Sequence, residues 1–145
     1  IETNSDLNIM TFVPNFISET NQSRKKIPSE VLLKDAVNNM SRVALLIDSL
    51  KSGDYSYLKS ATEDFIHQNI RLESFPQIKF LMGAAIEAGA LGAILSGSGP
   101  TLMVFTKGKE FTIDYELKEA ARKHNLEGQI TLTKISNKGI SIINE

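Results

Sequence analysis

The sequence predicts an α+β sandwich, in which a mostly antiparallel sheet carries helices packed on one face. Apolar residues recur at helical spacing in four segments, and short apolar runs typical of strands lie between and beside them. The resulting order is β-α-α-α-β-β-α-β-β, which favours helices segregated to one side of an antiparallel sheet. The 145 residues are enough for one domain with a buried core, or for a compact piece of a larger protein.

The chain is predicted to begin with a strand and a long helix. Residues 7–13 alternate as a strand, and Pro14 closes it because proline cannot donate to a ladder. After a polar stretch, Ser29 is placed to cap a helix that Gly53 ends. The apolar positions of this helix are Leu32, Leu33, Ala36, Val37, Met40, Val43, Ala44, Ile47 and Leu50.

Two more helices are predicted before the glycine-rich segment at residues 96–101. Asp54 can cap the first of them, with an apolar stripe formed by Leu58, Ala61, Phe65 and Ile66. Residues 74–77, Ser-Phe-Pro-Gln, match a capping box that tolerates proline in the first turn. They open a helix that ends near Gly89.

The C-terminal part is predicted to contain a helix and a hairpin. The helix covers about residues 112–124, and residues 129–135 alternate as a strand. The turn residues 137–139, Asn-Lys-Gly, would then let residues 140–143 return as its partner strand.

Composition excludes several classes of function. A net charge of −1, with basic residues spread along the chain, argues against a nucleic-acid interface. The absence of cysteine excludes disulfides, thiolate metal sites and thiol nucleophiles, and it fits a cytoplasmic setting. No run approaches the roughly 20 apolar residues that span a bilayer. Because the chain starts with Ile1, we expect a cleaved or trimmed product.

The most informative motif is the loop Ser96-Gly97-Ser98-Gly99-Pro100-Thr101, between predicted strands 91–96 and 101–106. Glycine lets a backbone approach a ligand closely, and successive N–H groups can form a concavity that binds anions. A plain turn remains the alternative. Small residues upstream, from Glu87 to Ala93, would let a helix lie close to the strand.

The segment from Glu87 to Thr101, EAGALGAILSGSGPT, resembles the third motif of the GHMP kinases, and within them the homoserine kinase family. Further matches to that family are the pattern Thr20-x3-Arg24-x2-Ile27-Pro28, the run 33–42, and the segment 63–71 with His67, Gln68 and Arg71. The resemblance covers about residues 10–106. It implies a ferredoxin-like fold and identifies residues 1–145 as a GHMP kinase C-terminal domain, without the N-terminal ATP-binding domain.

The resemblance also implies a substrate site. Arg24 and Arg71 match arginines that hold the amino-acid substrate, and a guanidinium fork suits a planar carboxylate. Thr20 matches a hydroxyl near the substrate. From the residues alone, Arg24 would belong to a solvated basic run and Arg71 to the surface.

Three other polar residues, His67, Glu63 and Asp64, are not assigned catalytic roles. His67 could line the site, but it is not assigned as a general base, because the family acts mainly by positioning and charge stabilisation. The adjacent carboxylates Glu63 and Asp64 are interpreted as a solvated face rather than a metal site. No catalytic residue and no metal ligand is assigned.

The family's ATP-binding motif, P-x3-G-L-G-S-S, does not occur in the sequence. The resemblance therefore implies that ATP and Mg²⁺ are bound mainly by the N-terminal domain, and that this chain alone is inactive. The expected partners are L-homoserine and the N-terminal domain; the sequence leaves a homodimer open.

The expected function is the C-terminal part of a kinase that transfers the ATP γ-phosphoryl to L-homoserine in threonine biosynthesis. Two alternatives stay open: another GHMP kinase of the mevalonate-pathway type, and a non-catalytic amino-acid-binding α+β domain.

Overall fold

The computed structural model describes residues 2–3, 6–16, 26–140 and 142, and its centre is one antiparallel sheet. The four strands of this described part are β1 (Asn8–Pro14), β2 (Gly92–Leu95), β3 (Leu102–Thr106) and β4 (Gly128–Lys134). Their order across the sheet is β2-β3-β1-β4, and each neighbouring pair is antiparallel. The predicted α+β class is confirmed.

Five helices occur among the described residues. They are α1 (Leu33–Ser52), α2 (Leu58–Ala61), α3 (Gln68–Leu72), α4 (Pro76–Glu87) and α5 (Glu110–Lys123). None of them combines the length and the apolar character needed to cross a bilayer.

The helices α4 and α5 form the predicted layer on one face of the sheet. Met10 and Val104 of the strands pack there with Leu81 of α4 and Ile113 of α5, all of them at most 2% exposed. The alternate strand residues, including Phe105, join a smaller cluster with Leu58. Because strand side chains alternate between faces, α1 and α2 pack against the opposite side. The helices therefore lie on both faces of the sheet, and the prediction that they pack on one face holds only for α4 and α5.

Helix α1 begins later than predicted. Its first flanking residue is Leu32, which is extended, so Ser29 lies three residues too early to cap it. Gly53 ends the helix in the left-handed conformation (φ 75°), as predicted, and its N–H bonds to the carbonyl of Ser49.

The predicted helix after Asp54 is divided in two. The carboxylate of Asp54 accepts the N–H of Ser56 (3.0 Å) in a turn, and α2 ends at Ala61. The side chain of Asp64 then accepts the N–H groups of Ile66 and His67 (2.6 and 2.8 Å). Such local bonds compete with the helical pattern, which resumes only at α3.

Helix α4 begins as predicted, with proline in its first turn, but without the capping box. Its N-cap is Phe75, and no side chain bonds there. The hydroxyl of Ser74 is instead engaged by the ammonium of Lys26 (2.5 Å).

The predicted C-terminal hairpin is wrong in the described residues. Residues 136–140 and 142 form no strand, and Ile140 and Ile142 are exposed. β4 pairs with β1 along seven residues, from Asn8 opposite Lys134 to Pro14 opposite Gly128. Pairing inside a sheet is favoured because an isolated two-stranded hairpin is marginal in water.

Candidate functional site

The candidate site is built on the turn that leads into α3. Asp64 lies at its centre: one carboxylate oxygen takes the two backbone N–H groups of this turn, and the other lies 2.7 Å from Nε2 of His67. The turn is tied to α1, because Asn39 accepts the N–H of Phe65 (2.9 Å). Arg42 adds an ion pair with Glu63 (2.9 Å).

The charge of Asp64 is stabilised by this arrangement. Burial by itself would raise the pKa of the carboxyl group. The N–H groups of His67 and Ile66, the His67 side chain and the amide of Asn39 outweigh burial, so the net pKa of Asp64 is lowered. The interpretation of Glu63 and Asp64 as one solvated face is therefore wrong for Asp64, which is structural and partly buried.

Helix α3 is fastened to the sheet by a buried amide. The side-chain oxygen of Gln68 accepts the N–H of Leu95 at the end of β2 (2.8 Å). This bond fixes α3 beside the strand that leads into the glycine-rich loop. The sequence analysis did not single out Gln68 for this role, since an amide at a helix start carries no distinctive signal.

Arg71 connects α3 to the glycine-rich loop. The residue is only 8% exposed, and its Nη1 donates to the carbonyl oxygen of Gly97 (2.5 Å). Its Nε is buried and has no hydrogen-bond partner among the described residues. The expectation that Arg71 alone would be a surface residue is wrong, because most of its side chain is enclosed between α3 and the loop.

The loop itself is a tight reversal between β2 and β3. Gly97 and Gly99 have φ values of 58° and 74°, a region that favours glycine, and the Gly99–Pro100 peptide is cis. The N–H of Ser96 donates to the carbonyl of Thr101 (2.8 Å), closing the turn. A Cβ at Gly99 would meet the ring of Phe75 at 3.3 Å, whereas one at Gly97 would enter open space.

Together these elements enclose a cleft of about 440 Å³. Its walls come from α1, the turn after α2, α3, and the start of the loop, with Arg42, His67, Arg71 and Gly97 among the lining residues. Nδ1 of His67 is buried and unpartnered among the described residues, as is Nε of Arg71. A cleft with an enclosed guanidinium is suited to an anionic ligand of small size.

The structure thus brings three predicted features together: Arg71, His67, and the loop from Ser96 to Thr101. Thr20 and Arg24 lie in residues 17–25, outside the described residues. In the described part of the chain, no group of three or more histidine, aspartate or glutamate side chains could hold a metal ion.

The sheet, the helices and the loop match a known class of enzyme domain. The family model described as "GHMP kinases C terminal" matches residues 46–124, from the middle of α1 to the end of α5. The chain belongs to the GHMP kinase C-terminal family.

The curated relatives of the chain include homoserine kinases. The chain is 36% identical to the homoserine kinase of Clostridium beijerinckii and 32% identical to that of Aquifex aeolicus, over 99% and 94% of its own length. It spans about half of these relatives, 48% and 46% of their lengths. The homoserine kinase structure from Cytophaga hutchinsonii superposes with a TM-score of 0.87 at 24% identity, over 92% of this chain and 43% of that one.

The same fold also occurs in a solved kinase of much lower sequence identity. A Streptococcus pneumoniae phosphomevalonate kinase, in complex with phosphomevalonate and AMPPNP, superposes with a TM-score of 0.64 at 12% identity. This match covers 92% of the present chain and 41% of the other.

Proposed function

We propose that residues 1–145 are the C-terminal domain of a cytoplasmic homoserine kinase, whose complete polypeptide transfers the γ-phosphoryl group of ATP to the hydroxyl of L-homoserine. The observation that carries the proposal is the enclosed guanidinium of Arg71 against the glycine-rich loop, in a chain whose curated relatives are named homoserine kinase. The product would be O-phospho-L-homoserine, on the route to threonine.

Arg71 would bind the α-carboxylate of the substrate. One N–H group of its fork is committed to Gly97, which fixes the plane of the guanidinium relative to the loop. The remaining donors include the buried Nε, which has no partner in the described residues. A carboxylate can satisfy such donors with charge-assisted bonds, and a preset fork loses little freedom when it binds.

Arg24 and Thr20 would complete the hold on the substrate, as the family resemblance implies. The loop from Ser96 to Thr101 would shape the cleft, and His67 would line it with its imidazole oriented by Asp64. Phosphoryl transfer has a loose transition state, so fixing the acceptor in place contributes more than covalent help from the protein.

ATP and Mg²⁺ would be held mainly by the N-terminal domain of the complete polypeptide, for which the twofold length of the relatives leaves room. ATP supplies the group that is transferred, and Mg²⁺ neutralises the charge that develops on it. The part of this chain within the described ranges would contribute the acceptor side of the cleft.

The decisive experiment is the substitution Arg71→Ala in the complete polypeptide. We expect the KM for L-homoserine to rise about 10- to 100-fold, the effect of losing one or two charge-assisted bonds, with the KM for ATP unchanged. A coupled assay of ADP release, titrated separately with each substrate, measures both constants.

Two controls separate the role of Arg71 from general damage. Arg122→Ala removes an exposed arginine of α5 that pairs only with Glu119 in the described structure, and it should leave both constants unchanged. Arg71→Lys keeps the charge but loses the fork, so it should recover only part of the activity. Unaltered homoserine kinetics in Arg71→Ala would remove Arg71 from the site, and phosphorylation of mevalonate in preference to homoserine would favour the mevalonate-pathway alternative.

A further inference from the structure

Helix α3 supplies hydrogen-bond partners to the free edge of the sheet. The strand β2 is outermost in the order β2-β3-β1-β4, so one side of its backbone has no neighbouring strand in the described part of the chain. Backbone N–H and C=O groups at such an edge are costly to bury without partners. The side chain of Gln68 accepts the N–H of Leu95 (2.8 Å). That of Arg71 donates to the carbonyl of Gly97 (2.5 Å).

The two bonds form one unit, which we call the α3 clamp. Gln68 and Arg71 are three residues apart on α3, so their side chains lie on the same face of the helix. Their partners are two residues apart, Leu95 at the end of β2 and Gly97 in the loop that follows. Gln68 and Arg71 are each only 8% exposed, so water does not readily replace a lost partner.

The position of α3 depends on contacts of this kind, because the helix is short. It has five residues, well below the roughly 12 that a helix needs to be stable by itself, and no side chain caps its start. The bonds of Asp64 shape the turn before α3 and reach α1, but not the sheet. Leu72 anchors the other end of α3 in the main core. The bond from Leu95 to Gln68 therefore sets how the start of α3 lies against β2.

We propose that Gln68 is a positioning residue for L-homoserine: its bond to Leu95 holds the fork of Arg71 where that fork meets the substrate carboxylate. This inference rests on the proposed function, in which Arg71 binds the carboxylate. A guanidinium binds a carboxylate through two parallel bonds only within a narrow range of orientations. A small shift of α3 would thus weaken substrate binding without removing any donor.

The substitution Gln68→Met in the complete polypeptide tests the proposal. Methionine has a similar length and shape, but it offers no oxygen to the N–H of Leu95. We expect the KM for L-homoserine to rise about 3- to 10-fold, the range that one neutral hydrogen bond supplies. The kcat and the KM for ATP should stay unchanged, because the lost interaction serves binding of the acceptor alone. The coupled assay of ADP release, titrated separately with each substrate, measures all three constants.

A second lesion and a matched control separate positioning from loss of stability. Gln68→Asn keeps an amide but shortens its reach by one methylene, so it should shift the KM for homoserine in the same direction. Tyr55→Phe is the control, because Tyr55 is also 8% exposed and donates a bond of 2.8 Å to Asp6, away from the cleft. It should leave the KM for homoserine unchanged, and an equal rise in this variant would overturn the proposal.

A double-mutant cycle tests whether Gln68 acts through Arg71. In the Arg71→Ala background, adding Gln68→Met should change the KM for homoserine by less than about twofold, because the group that Gln68 positions is gone. A full further rise would mean that Gln68 acts independently of Arg71, and it would overturn the proposal.

The same set of variants distinguishes this proposal from the proposed function. A normal KM for homoserine in folded Gln68→Met or Gln68→Asn, beside an impaired Arg71→Ala, overturns the positioning role alone. Unaltered homoserine kinetics in Arg71→Ala would contradict the proposed role of Arg71 itself.

Discussion

Gly92 occupies a position where even one added carbon would collide. A Cβ there would lie 2.8 Å from Oγ1 of Thr62 and 3.2 Å from the carbonyl oxygen of Leu58, since β2 passes directly against the end of α2. Gly83, inside α4, has no atom within 4 Å of its added Cβ. The two positions therefore differ in whether an added methyl group can be accommodated.

We predict that Gly92→Ala lowers the free energy of unfolding by about 1–3 kcal/mol, because the buried side chain of Thr62 and the backbone at Leu58 must shift to admit the methyl group. Gly83→Ala should instead raise it by about 0.5–1 kcal/mol, since alanine loses less backbone entropy in a helix. Urea denaturation of both variants measures the difference. Equal effects of the two substitutions would show that the contact at Gly92 is not tight.

At the scale of elements, the turn into α3 depends on an ionised carboxylate. The pKa of Asp64 is lowered in the folded chain, so folding favours the ionised form. The stabilisation is fully present above the pKa of an unfolded aspartate, about 3.9. It is lost as the pH falls through the lower pKa of the folded state.

We predict that wild type exceeds Asp64→Asn in stability by about 1 kcal/mol at pH 5.5, the advantage of a charged over a neutral acceptor. That difference should shrink as the pH falls below about 3.9 and through the lower pKa of the folded state. The control is Glu63→Gln, which breaks an exposed ion pair with Arg42 and should cost less at either pH. An Asp64→Asn difference that does not change with pH would mean that the carboxylate charge does not hold the turn.

The elements that the sequence predicted well are those with strong local signals. Strand β1, helix α4 with proline in its first turn, helix α5 and the strands around the glycine-rich loop all lie close to their expected positions. The single helix after Asp54 was wrong because the bonds made by Asp64 replace helical ones locally. The C-terminal hairpin was wrong because β1, more than 110 residues away in the chain, offers β4 a better partner.

The helical period of α1 was predictable, but its surroundings were not. An apolar stripe predicts a helix that buries one face, and nothing in its spacing says what covers that face. In α1, Leu45, Leu46 and Leu50 pack against the smaller core cluster, while Leu33 and Met40 face solvent. What covers the exposed face of a helix is not encoded in its periodicity.

At the scale of the whole molecule, the candidate site joins parts that local patterns cannot bring together. Arg71 and Gly97 are 26 residues apart, and their contact exists because Gln68 fastens α3 to the end of β2. The resemblance to a family identified both residues, but the bond between them follows only from the fold. The roles of Thr20 and Arg24 stay predictions, since both residues lie outside the described part of the chain.

We predict that the 145-residue chain alone shows no homoserine-dependent release of ADP. The domain that would present the ATP phosphates to the cleft corresponds to the half of the Clostridium beijerinckii relative that this chain does not match. Without fixed positions for both reactants, the advantage of an intramolecular arrangement is lost, an effect worth several powers of ten in rate. Joining the N-terminal half of that relative to this chain should restore turnover, and Arg71→Ala in the chimera should raise its KM for homoserine. Ordinary turnover by the chain alone would show that the acceptor side of the cleft also binds the nucleotide.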